Sequence, residues 1–300
     1  ALALAMQRQQ RDPPAPRHAA DADTRLLPFA ELLDSIGGLV ARRGAFAVHC
    51  EEVGAYELIS RELVEELAAH VIGRREDLLA GAPAHASPDE LETELVAAEA
   101  AAEADAMARA QATNTSADRL MNEDPAAALR VVEVGAGNGE LAHYLRRALH
   151  DGGGGGASFS VVACDDNADT YRPTTFGRVE RMDYREALKV YRPHLVVCSW
   201  MPMAVDWTAD FRRCPTVGEY LLLGECYDGA CGHNFLTWGN PDFTAAPDGA
   251  GDGRISPPHE SDGWHTEELH AISRWMLSRF ASDSADCECL STAIAFRRGR

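Results

Sequence analysis

The C-terminal part of the chain alternates short apolar runs with segments of helical periodicity. After Pro125 the runs are rich in β-branched residues, and the segments between them repeat apolar residues every three or four positions. This alternation predicts an α/β fold with a parallel sheet and helices on both faces. The predicted strands are Arg130–Val134, Phe159–Cys164, Val179–Met182, His194–Ser199 and Tyr220–Gly224.

Three further segments follow these strands. Ser291–Arg297 is predicted to be the final strand, whereas Gly263–Leu269 fits either a sixth strand or the start of a helix. Residues 232–262 contain many Gly, Pro and Asp and few periodic apolar residues, as is typical of a long loop over the substrate side.

The N-terminal part has a helical pattern instead. One face of a predicted helix carries Tyr56, Ile59, Leu63, Leu67 and Val71, and Gly73 is predicted to end this helix. A second helix is predicted to begin at Ser87-Pro-Asp-Glu90, and the stretch from Asp89 to Asp105 contains seven acids and no base. This acidic helix is interpreted as a solvated insertion, with a docking site for a basic partner as the alternative.

These patterns divide the chain into three parts. Residues 1–22 are predicted to form a disordered tail, and residues 23–124 a helical module with an acidic insertion at 87–112. Residues 125–300 are predicted to form the catalytic domain.

Charge and composition narrow the classes of function. The formal net charge is −19, from 47 acidic and 28 basic residues, so the average surface repels nucleic-acid backbones. No run approaches the roughly 18 apolar residues of a membrane span. We therefore expect a soluble, acidic protein without bulk nucleic-acid binding and without membrane insertion, and the pattern does not define an oligomeric state.

The cysteines and the first residues bear on the compartment. Eight cysteines in a chain too large to need disulfide bonds favour a reducing, intracellular compartment, most simply the cytoplasm. The first eleven residues contain Arg8 and Arg11 but no acid, as organelle transit peptides do, so an organelle stays open.

A glycine-rich turn follows the first predicted strand. Gly135-Ala136-Gly137-Asn138-Gly139 lies between this strand and a helix whose apolar face repeats through Leu141, Leu145 and Leu149. Glycines allow a sharp turn and close approach of a ligand, and the helix start offers free N–H groups. The spacing differs from the dinucleotide G-x-G-x-x-G, and Glu133 precedes the turn. A carboxylate there would attract an ammonium group and repel a pyrophosphate.

Acids also follow the second and third predicted strands. Asp165 and Asp166 end the second strand, where a ribose diol is bound in folds of this kind. Asp183 ends the third strand, where a carboxylate can accept from an adenine amino group while Met182 packs on the ring.

On these residues the chain resembles the class I S-adenosylmethionine-dependent methyltransferases over about residues 128–226. The resemblance implies a Rossmann-like seven-stranded sheet in the order 3-2-1-4-5-7-6 with the last strand antiparallel. It also implies that Glu133 and Gly135–Gly139 line the methionine moiety of S-adenosyl-L-methionine, Asp165 the ribose and Asp183 the adenine. Cys198 and Ser199, at the end of the fourth strand, are expected to contact the cofactor as well.

The segment after the fourth strand is expected to face the substrate. Cys198-Ser-Trp-Met-Pro202 departs from the Asn/Asp-Pro-Pro-aromatic motif of enzymes that methylate nucleic-acid amino groups, which argues against adenine or cytosine as acceptor. Together with Asp206-Trp207 and Phe235–Asn240, it is similar to a poorly characterised plant and algal group of methyltransferase-like proteins.

Residues that follow the fourth and fifth predicted strands are candidates for substrate contacts and for proton removal. The substrate-binding candidates are Trp200, Met201, Trp207 and Trp238, because aromatic faces can stack on a flat acceptor or hold a cation. The candidates for proton removal are Asp206, Glu225 and His233. The spacing of Cys226, Cys231, Cys287 and Cys289 matches no strong zinc pattern, so no metal is expected.

The leading hypothesis is a methyltransferase that acts on a small molecule or a protein side chain by in-line displacement. The alternative is a non-catalytic, methyltransferase-like binding or assembly module. A nicotinamide oxidoreductase is disfavoured by the glycine spacing and by Glu133.

Overall fold

A computed structural model describes most of the chain. The described residues are 26–40, 45, 48, 50, 56–81, 128–152, 159–168, 176–227, 229–243, 256–278 and 291–299. The predicted tail at 1–22 and the acidic insertion at 87–112 lie outside them.

The described elements alternate as the sequence predicts. In chain order they are α1 (Phe29–Val40), α2 (Arg61–Gly81), β1 (Leu129–Val134), α3 (Glu140–Gly152), β2 (Phe159–Asp165), β3 (Val179–Arg181), α4 (Tyr184–Tyr191), β4 (Leu195–Ser199), α5 (Thr208–Arg213), β5 (Glu219–Gly224), α6 (Pro258–Ser261), β6 (Trp264–Glu268), α7 (His270–Ser273) and β7 (Thr292–Arg298). A short 3₁₀ helix spans Pro241–Phe243. The segment left open between strand and helix, Gly263–Leu269, is largely strand β6.

The strands form one seven-stranded sheet in the order β3-β2-β1-β4-β5-β7-β6. The first five strands run parallel, and β7 is inserted antiparallel between β5 and β6. This order is the one that the resemblance implies, so the predicted fold is confirmed.

Alternate residues of the central strands face opposite sides of the sheet, because successive side chains of a strand point in opposite directions. On one side, Val131 and Leu195 pack against the apolar stripes of α2 and α3. On the other side, Val132 and Val196 pack with Tyr184, Leu188 and Phe211 from α4 and α5. A sheet covered on both faces explains why its strands are almost continuously apolar.

Helix α2 differs from its prediction. It begins only at Arg61 and continues through Gly73 to Gly81, so the predicted cap at Gly73 is wrong. Gly73 is exposed, and a Cβ there would meet nothing within 4 Å. A glycine inside a helix costs about 1 kcal/mol relative to alanine. Burial of Leu78 beyond it favours continuation of the helix.

The helix α2 is joined to the sheet by polar contacts as well as by the core. The buried carboxylate of Glu219, at the start of β5, accepts from His70 Nε2 and Arg74 Nε at 2.6 Å each. Arg297 of β7 donates to the same carboxylate at 3.2 Å. These contacts place α2, and the segment that precedes it, against the seven-stranded sheet.

None of the described helices is both long enough and apolar enough to cross a bilayer.

Candidate functional site

A cavity of about 700 Å³ lies where β1, β2 and β4 end. Its wall includes the glycine turn after β1, the first residues after β2 and β3, the segment after β4, and residues 56–59 from the N-terminal part. The carboxyl ends of parallel strands are where ligands bind in open α/β sheets, and the size is typical of small-molecule sites.

The glycine turn forms one wall of this cavity. Gly135, Gly137 and Gly139 have φ values of +64°, +56° and +75°, a left-handed conformation that glycine adopts without strain. A Cβ on Gly139 would lie 2.6 Å from Val179 Cγ2, so a larger residue is also excluded by packing. Gly135, Ala136, Gly137 and Asn138 line the cavity, whereas Gly139 supports the turn from behind.

Glu133 brings a buried carboxyl to the base of the turn. It lines the cavity and is 4% exposed, and its Oε2 accepts from the amide of Ala142 in α3 at 2.9 Å. Burial raises its pKa to about 8, although the Ala142 hydrogen bond and the charge of Arg146 oppose this shift. A cationic ligand beside it would favour the ionised form.

Asp165 connects the second strand to the turn. Its Oδ2 accepts from the Gly137 amide at 2.9 Å, and its Oδ1 accepts from the Asn167 amide at 2.8 Å. The carboxylate therefore orders the glycine turn while it lines the cavity, with Asp166 beside it. Asn167 also lines the cavity and was missed from the sequence, although it directly follows the two acids.

Asp183 and its neighbours form a further part of the wall. Asp183 is the N-cap of α4, and its Oδ1 accepts from the Arg185 amide at 2.8 Å. Met182 and Tyr184 line the cavity on either side of it, and Tyr184 was not predicted. The ring of Tyr184 stacks on Trp207 with centroids 4.8 Å apart. Trp207, a predicted substrate residue, thereby lies next to the glycine turn, since a Cβ on Gly135 would be 3.1 Å from its ring.

The segment after β4 forms the opposite part of the wall. Ser199, Trp200 and Met201 line this part of the wall, and their predicted roles in cofactor and substrate binding stay predictions. Trp200 has a φ of +58°, which bulky residues rarely adopt and which costs about 1–3 kcal/mol. Such strain persists only where surrounding contacts impose it, and it is concentrated at functional sites.

The N-terminal segment supplies the contacts of Trp200. Tyr56 stacks on the Trp200 ring with centroids 5.5 Å apart, and the Trp200 indole N–H donates to Glu57 Oε2 at 3.2 Å. Tyr56, Glu57 and Ile59 all line the cavity. Sequence reasoning assigned Tyr56 and Ile59 to a helix face and did not consider Glu57, because no local pattern indicates what this segment packs on.

Several predicted residues lie away from the cavity wall. Cys198 is fully buried in the sheet core, which raises its pKa well above the usual value. Trp238 is buried and donates from Nε1 to the Cys231 carbonyl at 2.6 Å. Neither residue is among those that line the cavity.

The three predicted bases have different surroundings. Asp206 lines the cavity, and its Oδ1 accepts from the Thr208 hydroxyl at 2.6 Å and the Thr237 hydroxyl at 3.0 Å. Glu225 accepts from the Ala230 amide at 3.1 Å, behind the cavity wall. His233 Nδ1 accepts from amides of its own turn, at 3.1 Å for Leu236. Of the three, Asp206 alone is among the described residues of the wall.

The wall is strongly acidic. Seven of its described residues are acids, and Arg185 is its one described base. The Arg185 guanidinium is paired with Asp210 at 2.8 Å. The acids are Glu57, Glu133, Glu140, Asp165, Asp166, Asp183 and Asp206. Such a lining favours cationic ligands and opposes anionic ones.

Comparisons with known proteins find only distant structural similarity. No family model and no curated protein sequence matches the chain. Among solved structures, the CMeT domain of the citrinin polyketide synthase is similar at 13% identity, over 57% of this chain and 47% of that chain, with a TM-score of 0.32. The CurJ carbon methyltransferase is similar at 11% identity, over 58% of this chain and 49% of that chain, with a TM-score of 0.33.

The S-adenosylmethionine-dependent methyltransferase SibL is similar at 13% identity, over 90% of this chain and 77% of that chain, with a TM-score of 0.30. The chain spans about half the length of the two structures named before it. Identities and TM-scores this low carry no functional conclusion. The assignment of the fold rests on the observed strand order, which is that of the Rossmann-like class I methyltransferase sheet.

Proposed function

We propose that this chain binds S-adenosyl-L-methionine in the acidic cavity and transfers its methyl group to a small-molecule or protein acceptor. The observation that carries this proposal is the glycine turn with a buried carboxyl at its base, open to a cavity with seven acids and one paired base in its described wall. A dinucleotide would bring a pyrophosphate into this field, whereas the proposed cofactor brings an ammonium and a sulfonium.

The described residues fit this cofactor. The resemblance assigns the methionine moiety to Glu133 and Gly135–Gly139, the ribose to Asp165 and the adenine to Asp183, and the position of Met182 places it against the adenine ring. All of these except Gly139 line the cavity, which supports the assignment. When bound, the cofactor would supply an electrophilic methyl group on a cationic sulfur.

The chain's own contribution to such a transfer is alignment and exclusion of water, which suits an in-line displacement with a good leaving group. Trp200, Met201 and Trp207 are proposed to bind the acceptor. Their similarity to the plant and algal methyltransferase-like group stays a prediction, since no comparison bears on it.

Binding calorimetry of the full chain with S-adenosylmethionine and with NAD tests the cofactor. We expect heat from S-adenosylmethionine and none from NAD, and Glu133→Ala is expected to weaken binding by at least ten-fold, because it removes the carboxylate partner of the ammonium. Heat from NAD alone would refute the proposal.

Transfer of labelled methyl groups into cell extract then tests catalysis. We expect label in a small-molecule or protein fraction with the wild type, and less with Glu133→Ala. Cofactor binding without label in any fraction would favour the non-catalytic binding module, whose predicted contact surface at residues 89–105 lies outside the described residues.

A further inference from the structure

Glu57 is a buried carboxyl that forms no ion pair with a described base. It lines the cavity, is 7% exposed, and accepts from the Trp200 indole through Oε2. Its second oxygen, Oε1, is buried and meets no donor at full hydrogen-bond geometry, although the Leu277 amide and the Ser291 hydroxyl lie close enough to lower the pKa of the carboxyl. A buried carboxylate without a cation costs free energy, so this group favours a ligand that brings a positive charge.

Distant segments hold this carboxyl in position. Glu57 forms an antiparallel bridge with Ser278, and the Leu58 amide donates to the Leu277 carbonyl at 3.0 Å. The Ser60 hydroxyl donates to the Trp275 carbonyl at 3.5 Å. The carboxyl therefore lies on a backbone segment that is hydrogen-bonded to residues 275–278.

The charged surroundings of Glu57 also lack compensation. Burial is the main cause of its raised pKa, and the donor groups of Trp200, Leu277 and Ser291 oppose this shift. The one charge from a described residue that acts on it is that of Glu225, a second carboxylate, which raises the pKa further. Cys231 lies near both acids, and burial raises the pKa of its thiol, so it adds no charge near neutral pH. A cation brought by a ligand would supply the missing positive charge.

Apolar surface surrounds the carboxyl. The rings of Tyr56 and Trp200 stack on one another beside it, and the side chains of Ile59, Met201 and Met203 line the same cavity. A ligand that fits this wall has an aromatic or aliphatic body with one donor group at its end.

We propose that Glu57 binds the methyl acceptor, and that the acceptor is a primary or secondary amine, which docks as an ammonium ion on the Glu57 carboxylate. This inference rests on the proposed methyltransferase function. An alcohol could donate to Oε1 but would leave the negative charge of the wall uncompensated, and a carboxylic acid or phosphate would be repelled.

The same carboxylate can accept the proton that methylation requires. The ammonium gives one proton to Glu57, and its nitrogen lone pair then forms the new N–C bond, with the bonding pair of the broken S–C bond left on sulfur. The positive charge of the sulfonium ends on the methylated nitrogen, and Glu57 holds the proton. Burial raises the pKa of Glu57 to about 8, which suits proton exchange near neutral pH.

Titration of phenethylamine into the full chain by calorimetry tests the proposal. Phenethyl alcohol and phenylacetate serve as matched probes with the same skeleton, and S-adenosylhomocysteine is present at saturation to prevent turnover. We expect the amine to bind the wild type at least ten-fold more tightly than the acid. Glu57→Gln is expected to weaken amine binding about ten-fold or more while S-adenosylhomocysteine binding changes less than two-fold.

Proton release gives a second readout. At pH 7 an amine that binds as ammonium must ionise Glu57, so wild type is expected to release about one proton, and Glu57→Gln none. Comparison of binding heats in buffers of different ionisation enthalpy measures this release. Glu76→Gln, an exposed position on α2, is the matched control and is expected to behave as wild type.

The two proposals fail in different ways. A wild type that takes up S-adenosylhomocysteine but binds amine and acid alike, or binds no amine, overturns the role of Glu57 alone. A Glu57→Gln variant that binds the amine as wild type does has the same consequence. No uptake of S-adenosylhomocysteine refutes the proposed function instead. If Glu57→Gln fails to fold, Glu57→Asp, which keeps the charge but withdraws it by one methylene, must still weaken amine binding.

Discussion

The two ends of the cavity each contain a buried glutamate, and the two carboxyls are held in different ways. At the end proposed to bind the cofactor, which is called the cofactor end, Glu133 accepts from the Ala142 amide, nine residues away along the same strand-turn-helix unit. At the end proposed to bind the acceptor, which is called the acceptor end, Glu57 accepts from Trp200, which is 143 residues away. Burial raises the pKa of both carboxyls to about 8.

The two ends therefore differ in how far apart along the chain their contacting residues lie. The cofactor end is assembled from consecutive elements, so its geometry depends on the turn itself. The acceptor end depends on how helix α2 packs on the sheet, and on how the residues before α2 contact the segment before β7. Perturbing each kind of contact separately should therefore affect the two ends unequally.

The largest effect is expected for Glu219→Ala, which removes the polar attachment of α2 to the sheet. The substitution leaves His70, Arg74 and Arg297 without their shared buried carboxylate. We expect a loss of about 3–5 kcal/mol in the free energy of unfolding, measured by urea denaturation. Hydrogen exchange should show greater loss of protection in α2 than in the β1–α3 unit.

Glu267→Ala is the matched control, because Glu267 also pairs with Arg297 but is exposed. A surface pair of this kind is expected to contribute less than about 1 kcal/mol. If Glu219→Ala lowers the free energy of unfolding no more than this control does, the carboxylate is not what attaches α2.

A smaller effect is expected for Asp165→Ala at the cofactor end. The substitution leaves the amides of Gly137 and Asn167 without their carboxylate acceptor. We expect a loss of about 2–3 kcal/mol in the free energy of unfolding. Asp166→Ala, at the exposed neighbouring position, is expected to cost less than about 0.5 kcal/mol. Equal losses in the two variants would show that Asp165 does not order the turn.

The smallest effect is expected in the pH dependence of stability. Both glutamates have a folded-state pKa of about 8 against a reference value of 4.5. Between these values the unfolded chain has released protons that the folded chain keeps, so stability falls as pH rises from about 4.5 to 8. The full shifts correspond to about 4 kcal/mol for each carboxyl between pH 5 and pH 8. Water entry and relaxation around an ionised buried group reduce this penalty, so Glu57→Gln and Glu133→Gln are each expected to remove on the order of 1–2 kcal/mol of the decline.

Urea denaturation at pH 5 and pH 8 measures the decline, with Glu76→Gln as an exposed control. A variant whose stability falls with pH as steeply as that of the wild type would show that its carboxyl already ionises normally in the folded chain. The two variants should flatten the profile independently, since the two carboxyls belong to different hydrogen-bond networks.

Much of the fold could be predicted because its signals are local. The apolar runs that precede Gly135 and Asp165 have the length and composition of buried strands, and the turn between β1 and α3 requires glycine at positive φ. The wrong end predicted for α2 at Gly73 has the opposite cause. A local helix-stop signal was outweighed by burial of Leu78, which depends on the sheet beneath it.

The sequence by itself determined the order of strands and helices, the glycine turn and the acids that follow β2 and β3. Neighbouring residues dictate each of these through periodicity, backbone freedom or helix capping. Only the tertiary structure decided that Tyr56 and Glu57 meet Trp200 at the cavity, and that Cys198 and Trp238 turn into the core. These contacts join segments far apart in the chain, and their free energy comes from packing that no local pattern records.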